Sequence, residues 1–222
     1  VDLTLWKYLW NSSGTGALSP DSSLSFTYSF NLNGTEYYQH MRGCRPTSGT
    51  LSVSRGMWDQ TMTFICKDIT VPATSTGDGG TPVYQSAETS SSPIVHSDGG
   101  GSPFTYNSIS YGERSFSTTV NRNMAVMAVN GETDITYTKA TDRAITFSAD
   151  VFSGTASSET ALYTLYESKD ADAATYKFNS SGPVTLTYAN CVITDYAYTH
   201  AAGSADALIE SITCRAESCT NL

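Results

Sequence analysis

Residues 131–154, GETDITYTKATDRAITFSADVFSG, carry the feature that most constrains the fold, an alternation of apolar and polar side chains around a short turn. A period of two is the pattern of a half-buried β-strand. A register shift of one residue would move the whole apolar set into water. The segment therefore predicts a β-hairpin whose core-facing side chains are Ile135, Tyr137, Ile145, Phe147 and Val151.

The composition favours the same architecture for the rest of the chain. Ser and Thr make up more than a quarter of the 222 residues, and the 14 Tyr outnumber the 12 Lys and Arg. Branched and aromatic side chains suit a pleated, half-buried surface. We therefore predict a single domain over residues 1–222 that is mostly β, an antiparallel β-sandwich or barrel.

Two segments depart from the strand pattern. Leu162, Leu165 and Tyr166 recur at helical spacing after a serine that can cap a helix, which predicts one short helix at about residues 157–167. Residues 72–112 hold four of the seven prolines and show little periodicity. A stretch of this length inside a compact domain is typical of a long functional loop or arm.

Charge and hydropathy limit the possible partners. The net charge is −9, which argues against gripping nucleic acid, because that requires Lys and Arg to displace counterions from phosphates. No apolar run is long enough to span a bilayer, so we predict no membrane partner.

Catalytic and metal-binding patterns are weak. His40, His96 and His200 are not spaced as metal ligands. Glu132 and Asp134 share a face and could form the acid–base pair of a glycosidase, although a solvated acidic face is the simpler interpretation. We predict no enzymatic activity, no cofactor and no metal.

Three further features leave alternatives open. Asp78 and Asp98 lie in glycine-rich stretches and could offer calcium ligands. The segment from Trp6 to Trp10 could stack on sugars, pack in the core or be buried against a neighbouring subunit. The five cysteines are interpreted as buried thiols, with one bridge, from Cys214 or Cys219 to a distant partner, as the alternative.

The order of segments resembles the tail tube proteins of long-tailed, siphovirus-like bacterial or archaeal viruses. Three stretches carry the resemblance: YYQHMRGCRPTSGTLSVSRGMWDQTMTFICKDI at 37–69, the opening segment with the helix after it, and GPVTLTYANCVITDYAYTHAAGSADALIESITCRA at 182–216. Together they cover about half of the chain. The loop at 72–112 is longer than a minimal tube subunit needs.

The resemblance implies a virion structural protein that self-assembles into stacked rings, usually of six subunits, around a lumen that conducts viral DNA during ejection. The implied partners are other copies of the chain, the tape measure and the terminator, with DNA passing unbound. Assembly would take place in the host cytoplasm. On this interpretation the alternation predicts that the lumen is lined by Glu132, Asp134, Thr136, Thr146, Ser148, Asp150 and, less strongly, Glu210.

Two other functions fit the composition. A different virion or cell-surface assembly or decoration protein would share the Thr-rich strands and use the long loop as a partner surface. A secreted carbohydrate-binding module or glycosidase would need an aromatic platform.

Overall fold

A computed structural model describes residues 23–54, 57–70, 103–128, 135–153, 161–177, 185–199 and 208–220. The elements in these ranges are β1 (Leu24–Leu32), β2 (Thr35–Ser54), β3 (Met57–Ile65), β4 (Asp68–Ile69), β5 (Phe104–Tyr106), β6 (Ile109–Ala128), β7 (Ile135–Ser153), α1 (Ala161–Ser168), β8 (Asp172–Lys177), β9 (Thr185–Thr199), β10 (Leu208–Ala216) and β11 (Ser218–Thr220). Every strand pairing is antiparallel. The predicted mostly β, antiparallel fold with a short helix is confirmed. The predicted β-hairpin within residues 131–154 is wrong, because Ile135–Ser153 form one continuous strand, β7, which pairs with β6 across the predicted turn with only a bulge opposite Asn123 and Met124.

Two sheets share the long strands β6 and β9. The first sheet has the order β3-β2-β6-β7-β10-β9, and the second has the order β6-β5-β8-β9 with β11 also paired to β9. The start of β6 pairs with β5 and the remainder with β7, while the two halves of β9 pair with β8 and β10. Because both shared strands pass from one sheet to the other, six strands form a closed circuit.

The core between the sheets is dominated by aromatic rings. Phe116 stacks on Tyr176 with ring centroids 4.0 Å apart, and Phe147 lies 4.7 Å from Tyr188. The hydroxyl of Tyr106 is buried and donates a hydrogen bond to the backbone carbonyl of Cys191 at 2.9 Å. Rings that meet in offset and edge contacts stabilise a core beyond the area they bury.

The predicted loop at 72–112 is wrong at its C-terminal end. Phe104–Tyr106 and the residues from Ile109 onward are strands, joined by a tight turn at Asn107 and Ser108 with φ of 46° and 63°. Positive φ at both central residues is the geometry of a type I′ hairpin turn. Phe104, Tyr106 and Tyr111 are buried, so aromatic burial outweighs the loop-like composition. Most of the remaining predicted loop lies outside the described residues.

The helix α1, Ala161–Ser168, begins inside the predicted range and ends one residue beyond it. Its side chain at Leu162 is buried, and Tyr166 stacks on Tyr196 of β9 with centroids 5.9 Å apart. The helix therefore covers the core side of the C-terminal half of β9. Residues 157–160, the start of the predicted helix, lie outside the described residues.

One disulfide joins Cys44 to Cys66. Strands β2 and β3 pair Arg45 with Ile65, which places the two flanking cysteines side by side. Cys214 and Cys219, the suggested bridge partners, are buried free thiols. The expectation of buried thiols thus fails for the pair that the β2–β3 register brings together.

Candidate functional site

The outer face of the first sheet carries a band of polar side chains that ends at the paired residues Phe152 and Ile209. Cross-strand pairing aligns its side chains in rows that run across the strands. These residues, here called the polar face, are Asp59, Thr61, Thr50, Ser52, Ser115, Ser117, Thr119, Thr146, Ser148, Asp150, Ser211, Thr213, Arg215 and Asp195. One row passes through all six strands, from Asp59 in β3 to Asp195 in β9.

Side-chain hydroxyl groups on this face form hydrogen bonds between neighbouring strands. Thr50 and Thr119 lie opposite each other with their Oγ1 atoms 3.0 Å apart. Asp150 accepts two hydrogen bonds, from Ser115 at 2.8 Å and from Ser211 at 2.6 Å, one from each neighbouring strand. Hydrogen bonds to an ionised group are the stronger kind. The carboxylate therefore links β6, β7 and β10 across the outer surface.

The polar face is acidic. Most of its side chains are short hydroxyls that are half-buried against their neighbours. Its charged members are Asp59, Asp150, Asp195 and Arg215, so three acidic groups against one basic group give a net charge of −2. Such a surface offers a polyanion few cations to bind and a weak repulsion.

The opposite side of the same strands fixes this register. Phe116, Ile145, Phe147 and Val151 alternate with the polar-face residues and are buried in the core. Shifting any of these strands by one residue would exchange the two faces. The apolar core therefore determines which hydroxyls face outward.

Within the described ranges, the two outer strands of this sheet each have an unpaired edge. Strand β3 pairs only with β2, and residues 192–199 of β9 pair only with β10. The ammonium group of Lys169 donates to the carbonyl of Ile193 at 3.4 Å, which satisfies one group of the β9 edge. Unpaired edges are available for strand pairing with another chain.

The sequence-predicted site residues fall into three groups. Thr146, Ser148 and Asp150 lie together on the polar face, and their assignment to a lumen stays a prediction. The side chains of Ile145, Phe147 and Val151 lie in the core. Glu132 and Asp134 are outside the described residues, as are the side chains of Ile135, Thr136 and Tyr137.

The prediction that Glu210 faces a lumen is wrong. Its side chain is 1% exposed and lies on the core side of β10, where Tyr196 donates a hydrogen bond to it at 3.0 Å. Strand β10 is also no sheet edge, since it pairs with both β7 and β9. A buried carboxylate with a hydroxyl donor can remain in an apolar row, which alternation alone does not reveal.

Sequence reasoning missed the contribution of β2 and β6 to the polar face. The stretches LSVS and SFSTTV alternate, yet Thr118 occupies a core position between Phe116 and Val120. Its hydroxyl donates to the carbonyl of Thr146 at 3.2 Å, which satisfies the buried group. That polar core residue weakens the pattern that would have assigned Ser115, Ser117 and Thr119.

Glu113 is a second acidic residue near the core that the pattern did not identify. It pairs with Val151, whose other cross-strand neighbour is Glu210. Burial raises the pKa of Glu113 from 4.5 to about 7, and a hydrogen-bonding interaction with Tyr176 lowers it in part. The carboxyl group therefore exchanges its proton near neutral pH.

No group of three or more His, Cys, Asp and Glu residues is placed to hold a metal ion in the described part of the chain. His40, the histidine within these ranges, lies with its Nδ1 atom 3.0 Å from the Thr27 hydroxyl. No described helix has the length and apolar character needed to cross a membrane.

Comparison with known proteins gives one family match that spans nearly the whole chain. The model of a family described as phage tail tube protein matches residues 4–216. A search of curated proteins finds no match.

Three solved structures show partial similarity. The baseplate of the anti-feeding prophage matches at 17% identity and a TM-score of 0.41, over 54% of this chain and 89% of that chain. The virion of the native gene transfer agent particle matches at 8% sequence identity and a TM-score of 0.38, over 49% of this chain and 84% of that chain. Hcp1 from Flavobacterium johnsoniae matches at 17% sequence identity and a TM-score of 0.34, over 54% of this chain and 94% of that chain.

Proposed function

We propose, from the premise that the chain belongs to the phage tail tube protein family and is thus a structural protein of the virion tail, that it assembles into stacked rings of six subunits. The stack forms a hollow tube through which viral DNA leaves the particle. The chain acts by assembly and has no catalytic role. Its subunits join in the host cytoplasm, and the finished tube contacts the tape measure and the terminator.

The polar face is the observation that carries this proposal. A ring of cyclic symmetry brings one edge of each subunit against a different edge of the next. The unpaired edges of β3 and β9 lie at opposite ends of the sheet that bears the polar face. Pairing them around a ring would join the polar faces of all subunits into one wall.

The chemistry of the polar face suits the inner side of that wall. A net charge of −2 on each face would give −12 around a ring of six. Like charges at a few ångströms repel DNA phosphates, and salt screens this repulsion beyond about 10 Å. Arg215 is the one long cationic side chain of the polar face, and its other members are short hydroxyls and carboxylates, so DNA would pass without being held.

A single lysine on the polar face tests the proposal. Ser148 lies in the middle of the row across six strands, and Ser148→Lys would place a cation in the lumen of every ring. Ala173→Lys, at an exposed position of strand β8 in the second sheet, is the matched control. Both proteins are polymerised, imaged by electron cryomicroscopy and titrated with short DNA at low salt.

We expect both variants to form hollow tubes of equal diameter. Only Ser148→Lys tubes should retain DNA, and they should release it as the salt concentration rises. A reconstruction that places Ser148 on the outer surface or between subunits would contradict the lumen assignment. A chain that remains monomeric at high concentration would contradict assembly itself.

A further inference from the structure

The two outer strands of the first sheet run in opposite directions. The path from β3 to β9 crosses the pairings β3–β2, β2–β6, β6–β7, β7–β10 and β10–β9, and each of them is antiparallel. Rotation about the axis of a cyclic ring leaves the direction of every strand along that axis unchanged. In a ring, β3 of one copy would therefore meet β9 of the next as one more antiparallel pair.

The polar face restricts the register of such a pair to shifts of an even number of residues. A shift of one residue would turn the side chains of one strand from the polar face to the core side. With the rows of two copies aligned, Asp59 of β3 would lie directly opposite Asp195 of β9, because both belong to the row through Ser148. Both aspartates are exposed, and like charges directly opposite each other destabilise a sheet. The aligned register is therefore disfavoured.

A lysine occupies part of the β9 edge. The ammonium group of Lys169 donates a hydrogen bond to the carbonyl of Ile193 at 3.4 Å and lies 3.5 Å from the centroid of the Tyr166 ring. A strand that paired with Ile193 would have to displace both contacts. The part of the edge that stays open is residues 195–199, which pair only with β10 in the described structure.

One register meets both restrictions. Moving β3 by two residues from the aligned register places Thr61 opposite Asp195 and Met57 opposite Thr199. The carboxylate of Asp195 then faces a hydroxyl group, and the pairing ends before Ile193. A move of two residues in the other direction would bring more of β3 against Ile193, where the lysine already binds.

Four tyrosines lie behind the same edge, on the core side of β9. They are here called the tyrosine cluster, and they are Tyr163 and Tyr166 of α1 and Tyr196 and Tyr198 of β9. The Tyr196 ring contacts both helix rings, at 5.6 Å and 5.9 Å between centroids, and its hydroxyl donates to Glu210 at 3.0 Å. Tyr163 and Tyr198 are 48% and 57% exposed. The cluster is thus held in place but only partly covered, and exposed aromatic area beside an open edge favours a contact with another chain.

The same register brings side chains of the neighbouring β3 to this cluster. Gln60 alternates with Asp59 and Thr61, so it belongs to the core side of its strand and would lie opposite Tyr196. Its amide donates a hydrogen bond to the sulfur of Met62 at 3.3 Å. Side chains directly opposite have Cβ atoms about 5 Å apart, and methionine sulfur packs favourably against aromatic rings. A second copy of the chain would therefore supply backbone groups for the edge and side chains for the cluster.

We propose that residues 195–199 of β9 pair antiparallel with residues 57–61 of β3 in a second copy of the chain, with Thr61 opposite Asp195. Behind this pairing, the second copy covers Tyr163 and Tyr198. The contact has two layers, one of hydroxyls and carboxylates on the polar face and one of aromatic rings on the core side. This inference rests on the proposed ring and specifies which residues meet within it.

Paired cysteines test the register in assembled protein. Met57→Cys with Thr199→Cys brings two thiols within disulfide range in the proposed register. Met57→Cys with Ala197→Cys does so in the aligned register, and it is the matched control because both variants keep Asp59 and Asp195. We expect mild oxidation of tubes to link the first variant into a ladder of covalent oligomers on a non-reducing gel, at least tenfold faster than the control.

Removal of the exposed rings tests the tyrosine cluster. Tyr163→Ala combined with Tyr198→Ala should raise the protein concentration at which tubes form at least tenfold. Replacing the same two residues by phenylalanine keeps the rings and should leave that concentration unchanged. Circular dichroism of the unassembled subunits compares the folding of the two variants.

The outcomes separate this inference from the proposed function. Tubes that link only through Met57→Cys with Ala197→Cys, or through neither pair, would overturn the register and leave the ring intact. Equal assembly of the alanine and phenylalanine variants would overturn the role of the tyrosine cluster. A native chain that forms no ring in electron micrographs would overturn the proposed function, and this inference with it.

Discussion

Replacing Glu113 by Gln should change how the stability of the subunit depends on pH. Burial raises the pKa of the Glu113 carboxyl group to about 7, and the interaction with Tyr176 offsets only part of this rise. The folded protein therefore prefers the neutral acid. Glutamine has the same size and stays neutral at every pH.

The sign and size of the effect follow from the two pKa values. Below pH 4.5 the carboxyl group is protonated in both the folded and the unfolded chain, and ionisation has no cost. Between pH 4.5 and about 7 only the unfolded chain loses the proton, so the free energy of unfolding falls as the pH rises. The difference corresponds to at most about 3 kcal/mol, and because Glu113 is only partly buried we expect about 2 kcal/mol.

Urea unfolding of unassembled protein between pH 4 and pH 8 measures this effect. Glu113→Gln should match the native chain at pH 4 and exceed it by about 2 kcal/mol at pH 8. Glu167→Gln, on the exposed side of α1, is the control and should show no such divergence. A constant difference between Glu113→Gln and the native chain at all pH values would refute the reasoning, since it would reflect packing and not ionisation.

Three other changes test the core, a turn and the disulfide. Phe147→Ala removes a ring that meets three others in the core, and should lower the free energy of unfolding by about 3–5 kcal/mol in urea. Gly34→Ala forces a side chain at φ 84° and should cost about 1 kcal/mol, whereas Gly112→Ala, without positive φ, should change little by the same assay. Replacing Cys44 and Cys66 by serine opens a link across 22 residues and should cost about 3 kcal/mol. A reducing agent should then destabilise the native chain and leave the double variant unchanged.

These predictions fail in distinguishable ways. Little loss in Phe147→Ala would mean that the surrounding rings collapse into the space. Equal losses at both glycines would remove the argument from backbone conformation. A native chain that is insensitive to reductant would show that the disulfide does not contribute to its stability.

The alternation of the opening segment predicted strand structure at Ile145, Phe147 and Val151, but it could not show that the chain runs straight through the predicted turn, because that depends on pairing with β6. The same reasoning failed for Glu210, where a single tyrosine hydroxyl from the neighbouring strand makes a buried carboxylate tolerable. That hydroxyl comes from Tyr196, fourteen residues away in sequence. A local pattern contains no information about such a partner.

The disulfide and the short strand β5 were also not predicted from the local sequence pattern, each for a different reason. The pairing of Cys44 with Cys66 depends on the register of β2 against β3, which includes a shift between Pro46 and Ser48. Strand β5 has only three residues, surrounded by turn-forming residues, and its burial depends on β8 about seventy residues later. Cross-strand register and long-range burial decide both features.

The closed circuit of six strands also has a consequence for the order of events during synthesis. Strand β7 ends at Ser153, but its second neighbour, β10, begins only at Leu208. Until β10 leaves the ribosome, one edge of β7 and the aromatic core remain open, and exposed edges of this kind promote aggregation. The closed circuit of strands, and with it the surface that other subunits would meet, is therefore complete only after β10 has been synthesised.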